Sequence, residues 1–150
     1  HQLDQLFHQH VDQEMFVSVP AAGVLLSAGL LVKFGEDRQR FSDPHALQAL
    51  AGTCPVTVQS GRRRHVHFRY ACDHEFRYLV QEWARLSINH SLWATDYFER
   101  SLKDARSPNH AYRRLANRWL AIVWRIWQDH ARYDETYHMK RRLERQVPRA

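Results

Sequence analysis

The feature that most constrains the fold is a stripe of large apolar residues late in the chain. Leu115, Trp119, Ile122 and Ile126 recur at helical spacing, and Val123 and Trp127 widen the same face. Arg114, Arg118 and Arg125 fall on a separate strip, so the segment reads as an amphipathic helix. Ser107-Pro108 supplies its start. The hydroxyl can accept a hydrogen bond from an unpaired backbone N–H, and proline fits the first helical position. A helix with tryptophans on its apolar face must be covered by other elements. The segment from Asp73 offers the best cover, with Phe76, Leu79, Val80, Trp83 and Leu86 on one face and Arg77, Gln81 and Arg85 on the other. Trp83, Trp119, Ile122 and Ile126 are therefore expected to share one core.

Most of the remaining chain is also helical in pattern. Leu3, Leu6, Phe7 and Val11 predict a first helix over 2–14, broken by the stretch 16–20. A second helix is expected over 22–34, ending at Gly35. A short one follows Asp43-Pro44 and stops at Gly52. Further helices are expected over 91–105 and from Asp134, the last with only a weak apolar face. Residues 54–70 differ. Val56 and Val58 alternate with polar residues, as do Val66, Phe68 and Tyr70 further on, which predicts a small hairpin. The fold class expected is mostly α: a compact helical domain with one short extended hairpin segment. Ser18-Val19-Pro20-Ala21-Ala22-Gly23 adds a degenerate helix-hairpin-helix turn, in which backbone N–H groups could face a phosphate. A plain packing turn is the alternative.

The charge balance points to a polyanionic partner. There are 22 Lys+Arg against 16 Asp+Glu, and the sequence pI is about 9.7. The lysines are Lys33, Lys103 and Lys140, so arginine carries nearly all the positive charge, and arginine suits bidentate phosphate contact. The sharpest local feature is the loop around Ser60, which stands between Gln59 and Gly61 and is followed by Arg62, Arg63 and Arg64. Glycine allows close backbone approach, the guanidinium groups can grip phosphate oxygens, and the hydroxyl can act as a nucleophile once deprotonated. A solvated basic turn is the alternative. His65 is the nearest histidine in sequence and a candidate base.

Two cysteines, Cys54 and Cys72, make no disulfide framework, and a reducing compartment is the default. The apolar run 21–32 is too short to span a bilayer. Cys54, His65, His67, Cys72 and His74 match no closed zinc pattern. No convincing cluster of acids for Mg²⁺ is present. The chain begins with His1 inside a helical pattern, so it is expected to be part of a longer protein.

Several blocks together carry a family resemblance. They are Ser18-Val-Pro-Ala-Ala-Gly, Phe34-Gly-Glu-Asp with Arg40-Phe41, and Leu50-Ala-Gly-Thr-Cys-Pro-Val-Thr-Val-Gln-Ser-Gly. Arg69-Tyr-Ala-Cys-Asp, His90-Ser-Leu-Trp-Ala, Asp96-Tyr-Phe and Leu115-Ala-Asn-Arg-Trp-Leu follow. The chain resembles the C-terminal domain of the insertion sequence 110/116/902 family of bacterial transposases. That resemblance implies that residues 1–15 end a connecting coiled coil and that 16–150 form the C-terminal transposase domain. It implies an acidic, Mg²⁺-holding RuvC-like domain elsewhere in the protein, and a cytoplasmic, nucleoid-associated DNA recombinase. It implies Ser60 as the strand-exchange nucleophile, with Gln59, Gly61, Arg62, Arg63, Arg64 and Arg69 as nucleic-acid contacts. The implied partners are DNA, a guide RNA encoded by the element, and further copies of the protein. A non-enzymatic nucleic-acid-binding module and a helical protein-interaction domain are the competing readings. The chain departs from the family pattern at Ala21, where glycine is usual.

Overall fold

The computed structural model describes residues 2–146 as eight helices and one two-stranded antiparallel sheet. The mostly helical class expected from the sequence is the class observed. His1 and residues 147–150, included in the two expected segments 1–15 and 16–150, lie outside the described residues.

The longest helix, α7 (Pro108–Asp129), is the axis of the fold. It packs against α5 (His74–Ser87), α4 (Pro44–Ala51) and α6 (Leu92–Leu102). The expected stripe is buried: Leu115 and Trp119 have no exposure, and Ile122 and Ile126 have little. Trp83 of α5 stacks on Trp119 with ring centroids 5.1 Å apart, and Trp93 of α6 meets Trp119 edge-on at 5.0 Å. Such aromatic pairs add roughly 0.5–1.5 kcal/mol beyond the area they bury.

An indole buried in a core still carries an N–H that needs an acceptor. Trp119 donates to Ser87 Oγ at 2.8 Å. The others reach turns: Trp83 donates to the Pro20 carbonyl at 2.7 Å, Trp124 to that of Phe41 at 2.9 Å, and Trp127 to that of Gly35 at 3.2 Å. The tryptophans that fill the core thereby fix the loops around it. Arg38 strengthens one such attachment. Its Nε donates to the Trp127 carbonyl at 2.9 Å, its guanidinium lies 4.8 Å from the Trp127 ring, and it pairs with buried Asp12 at 2.5 Å.

Helix starts follow the expected chemistry. Asp43, Asp73, Ser91 and Ser107 accept from the backbone N–H groups of Ala46, Phe76, Ala94 and His110. Asp73 also takes Lys33 at 2.9 Å, and these two contacts, with the backbone bond first, hold its carboxyl below the usual range.

The N-terminal segment differs from the sequence reading. Instead of one helix over 2–14, there are α1 (Gln2–His8) and α2 (Gln13–Ser18) with a turn between them. His10 Nδ1 accepts from the Asp12 N–H, and the Asp12 carboxylate turns inward to Arg38. The turn also lets Met15 and Phe16 bury, so the segment expected to break the helix is mostly helix. Val11 is 84% exposed and Leu6 is 67% exposed, while Phe7 enters the core. Helical spacing there marked a helix but not its buried face.

Next, α3 (Val24–Phe34) packs against α2 across a tight turn. Ala21 occupies that turn at φ +65°, the left-handed region that glycine tolerates and alanine does not. The last helix, α8 (Glu135–Gln146), leaves Tyr137 and Leu143 exposed, as its weak apolar pattern predicts. No helix of the described residues is long and apolar enough to cross a membrane.

Two substitutions test this architecture. Trp119→Ala should destabilise the fold by about 3–5 kcal/mol in urea titration, since it removes the ring contacts with Trp83, Trp93 and Tyr133 and leaves a cavity. A loss below about 1 kcal/mol would contradict its central position. Ala21→Gly should stabilise by about 0.5–1 kcal/mol, because relief of the left-handed strain outweighs the added unfolded-state entropy. A lower urea midpoint for this variant would contradict the assigned turn.

Candidate functional site

The extended segment forms β1 (Val56–Ser60) and β2 (Arg63–His67), joined by a tight turn at Gly61 and Arg62. Gly61 supplies the turn with φ +58°. The register pairs Ser60 with Arg63, Gln59 with Arg64, Val58 with His65 and Val56 with His67. Directly opposed residues of an antiparallel pair share a face, and faces alternate along each strand. Ser60, Arg63, His65 and His67 therefore lie on one face, Gln59 and Arg64 on the other, and Arg62 at the tip. The sequence reading grouped three arginines around the serine, whereas the register gives Ser60 a single arginine directly opposite. His65 is its diagonal neighbour, one pair removed, at a typical separation of roughly 7–8 Å.

Every residue from Thr57 to His67 is exposed. Among the described residues, no side-chain hydrogen bond or ion pair engages Gln59, Ser60, Arg62, Arg63 or Arg64. His65 and His67 stack on each other with centroids 6.0 Å apart. The hairpin tip is thus a free hydroxyl and free guanidinium groups projecting from the helical body.

The base of the hairpin is attached differently. Phe68 lies between two guanidinium groups, Arg77 of α5 at 4.5 Å and Arg113 of α7 at 4.7 Å from its centroid. Tyr70 packs edge-on against it at 4.8 Å. Arg77 also donates to the Arg69 carbonyl, and Arg69 Nε donates to the Cys54 carbonyl at 3.2 Å. Arg69 therefore stands at the base and not with the tip residues. Arg77, expected on the outer face of its helix, is folded along the hairpin base instead. Gly52 makes room for it. This residue has φ +68°, and a Cβ there would come within 2.4 Å of the guanidinium.

A cavity of about 420 Å³ opens beside this base. Arg69, Arg106, Arg113 and Arg114 line it with His67 and His110, and Asp104 is its acid. Asp104 is taken by Arg114 at 2.7 Å, which holds its carboxyl below the usual range. Burial, followed by Arg77, Arg106 and Arg114, pushes the Arg113 guanidinium down. Burial, then Arg114, Arg113 and Arg106, pushes the His110 imidazole down as well. Crowded cations with one acid among them create a positive potential that an anion would relieve. Sequence reading missed Arg106 and Arg113 here. Arg106 stands just before α7 and Arg113 within it, and only the fold brings Phe68 to Arg113 and sets both arginines around one cavity.

Among the described residues, no three of His, Cys, Asp and Glu gather where they could hold a metal ion. Cys54 is buried, and Cys72 approaches only His74, at 3.9 Å. The donor set that Mg²⁺ needs is not formed by these residues.

The attachment at Phe68 can be tested directly. Phe68→Ala removes both guanidinium contacts, so backbone amide NMR signals of Val56 to His67 should move or broaden. The indole signals of Trp83, Trp119 and Trp127 should stay in place. Indole shifts as large as those of the hairpin would contradict a hairpin joined to the body only at its base.

Sequence comparison places this arrangement among known proteins. The family profile described as Transposase IS116/IS110/IS902 family matches residues 13–99, which include α2 to α5, the whole hairpin and most of α6. The mini-circle transposase assigned to IS117 of Streptomyces coelicolor is 32% identical over 133 residues, covering 89% of this chain and 32% of that protein. The 42 kDa protein of insertion element IS900 of Mycobacterium paratuberculosis is 28% identical over 132 residues, covering 87% of this chain and 33% of its own length. The chain thus spans about a third of the length of these curated relatives. It belongs to the IS116/IS110/IS902 family of transposases.

Proposed function

We propose that this chain is the strand-exchange domain of an RNA-guided DNA transposase, with Ser60 as its nucleophile. The observation that carries this reading is the placement of Ser60. It is an exposed, unengaged hydroxyl at the end of β1, next to a glycine turn and directly opposite Arg63. A serine held for packing would be buried or bonded, whereas this one is presented to solvent on a basic projection.

In the proposed step Ser60 Oγ attacks a DNA phosphorus. The Oγ–P bond forms as one P–O bond to a deoxyribose breaks; the serine hydroxyl gives up its proton to solvent, and the sugar oxygen that leaves takes one up. The covalent phosphoserine then passes the phosphoryl group to the sugar hydroxyl of a second strand, which regenerates Ser60. Arg63 offsets charge developing on the phosphoryl oxygens, while Arg62 and Arg64 hold the flanking backbone. Gln59 and Gly61 allow close approach at the turn. The cavity at the hairpin base, with Arg69, would take a neighbouring phosphate. The start of α3, where Gly23, Val24 and Leu25 are exposed, would offer a further phosphate contact through the first-turn backbone N–H groups of the helix. Mg²⁺ and the oligomeric contacts belong, in this reading, to the protein beyond these residues.

Ser60→Ala tests the chemistry in a protein of the relatives' full length. The variant should lose strand exchange and any denaturation-resistant protein–DNA adduct on the Ser60 peptide, while DNA affinity changes by less than about threefold, since only one oxygen is removed. Replacing Arg62, Arg63 and Arg64 by alanine should instead weaken binding and flatten its salt dependence. Recombination at the parental rate in Ser60→Ala would refute the nucleophile assignment and leave the hairpin as a binding element alone.

A further inference from the structure

A second basic cavity lies further along α7, beyond the hairpin base, and shares Tyr97 with the first. It is bounded by α6, α7 and α8, and its volume is about 740 Å³. Seven arginines and two aspartates line it, together with Trp93, Tyr97, Tyr137 and His138. Arg125 is paired with Asp129 at 3.0 Å. Asp96, at the rim, accepts from Arg142 at 2.5 Å and from Arg100 at 3.1 Å, and this pairing lowers its carboxyl below the usual range. Arg118, Arg132 and Arg141 are exposed and have no acidic partner among the described residues. Tyr137 is 54% exposed, with the Arg141 guanidinium 6.0 Å from its ring centroid.

The wall that α8 forms is fixed in place. Glu135 accepts from Ser91 Oγ and from the Trp93 backbone N–H, both at 2.8 Å, and from the Tyr133 hydroxyl. This seats the start of α8 on the start of α6, where a carboxylate suits the helix dipole. The arginines of α8 are therefore held over those of α7, although the two sets repel. Such an arrangement needs a polyanion to offset it.

We infer that the α6–α7–α8 cleft is a binding site for single-stranded nucleic acid, held through its backbone phosphates by Arg118, Arg132 and Arg141, with one base stacked on Tyr137. The shape selects the strand state. A cleft of about 740 Å³ can take in a few unpaired nucleotides, whereas a duplex could only lie across its mouth. Free arginines beside an exposed aromatic ring are the combination that tracks a flexible backbone and stacks unpaired bases. Tyr97 lines both this cleft and the cavity at the hairpin base, so a strand leaving one can enter the other. The inference rests on the nucleic-acid reading of the domain but not on Ser60, so the strand-exchange test and the test below fail independently.

Fluorescence anisotropy with this 150-residue chain tests it. The probes are labelled oligo-uridine RNA and oligo-thymidine DNA of about 12 nucleotides, and a DNA duplex of the same length. Arg118→Ala, Arg132→Ala and Arg141→Ala combined should weaken both single strands by about tenfold or more at ~0.1 M salt and lower the salt slope by about 2, with duplex affinity changed by less than about threefold. A preference for the RNA probe would indicate contact with the 2′-hydroxyl, and equal binding would indicate phosphate contact alone. Both agree with the site. A control with the same charge loss elsewhere, Arg40→Ala, Arg85→Ala and Lys103→Ala, should move single-strand affinity far less. Thermal unfolding of the cleft variant should match the parent, since all three side chains are exposed. If the two triple variants weaken all three probes alike, only net charge matters and the inference is overturned.

Discussion

The stacking of Trp83 on Trp119 is the contact on which the rest of the structure depends. It joins the two longest helices of the core at a point with no exposure, and Trp93 closes it from the side. Its consequences extend outward through hydrogen bonds. Trp83 donates to the Pro20 carbonyl in the turn before α3, and Trp127, one helical face further along α7, donates to the Gly35 carbonyl after α3. Both ends of α3 are thereby fixed to the aromatic core. A buried indole without an acceptor would lose about 1–3 kcal/mol, so each turn is held where its carbonyl is needed.

The hairpin obeys the opposite rule. Its tip carries no packing contact to the body, and its base is held by cation–π contacts at Phe68 and by backbone carbonyl acceptors. Three kinds of arginine are thereby distinguished. Arg77 and Arg113 carry structure, Arg62, Arg63 and Arg64 face solvent, and Arg118, Arg132 and Arg141 face a cleft. Composition alone treats these eight as one surplus of charge.

Much of this was legible in the sequence, for physical reasons. Ser107-Pro108, Asp43-Pro44 and Asp73 cap their helices as read, because capping is decided by neighbouring residues. The stripe from Leu115 to Ile126 is buried because four consecutive matches to helical spacing leave one face for the core. The N-terminal break was illegible, since it depends on Arg38 drawing Asp12 inward across a separation no local pattern records. The role of Arg77 was hidden for the same reason: spacing put it on the outer face, and only the approach of Phe68 and Gly52 turns it inward. The site was half legible. Gln59-Ser60-Gly61 and the following arginines marked the loop, but strand register decided which arginine stands opposite the serine.

A tightly packed tryptophan core carries a hairpin whose exposed tip is energetically separate from it. Native-state amide hydrogen exchange measures this directly. The amides of α5 and α7 around Trp83 and Trp119 should exchange only with global unfolding, whereas those of β1 and β2 should open with a free energy lower by several kcal/mol and insensitive to low denaturant. Exchange of the hairpin amides at the global rate, with the same denaturant dependence as α7, would contradict the account.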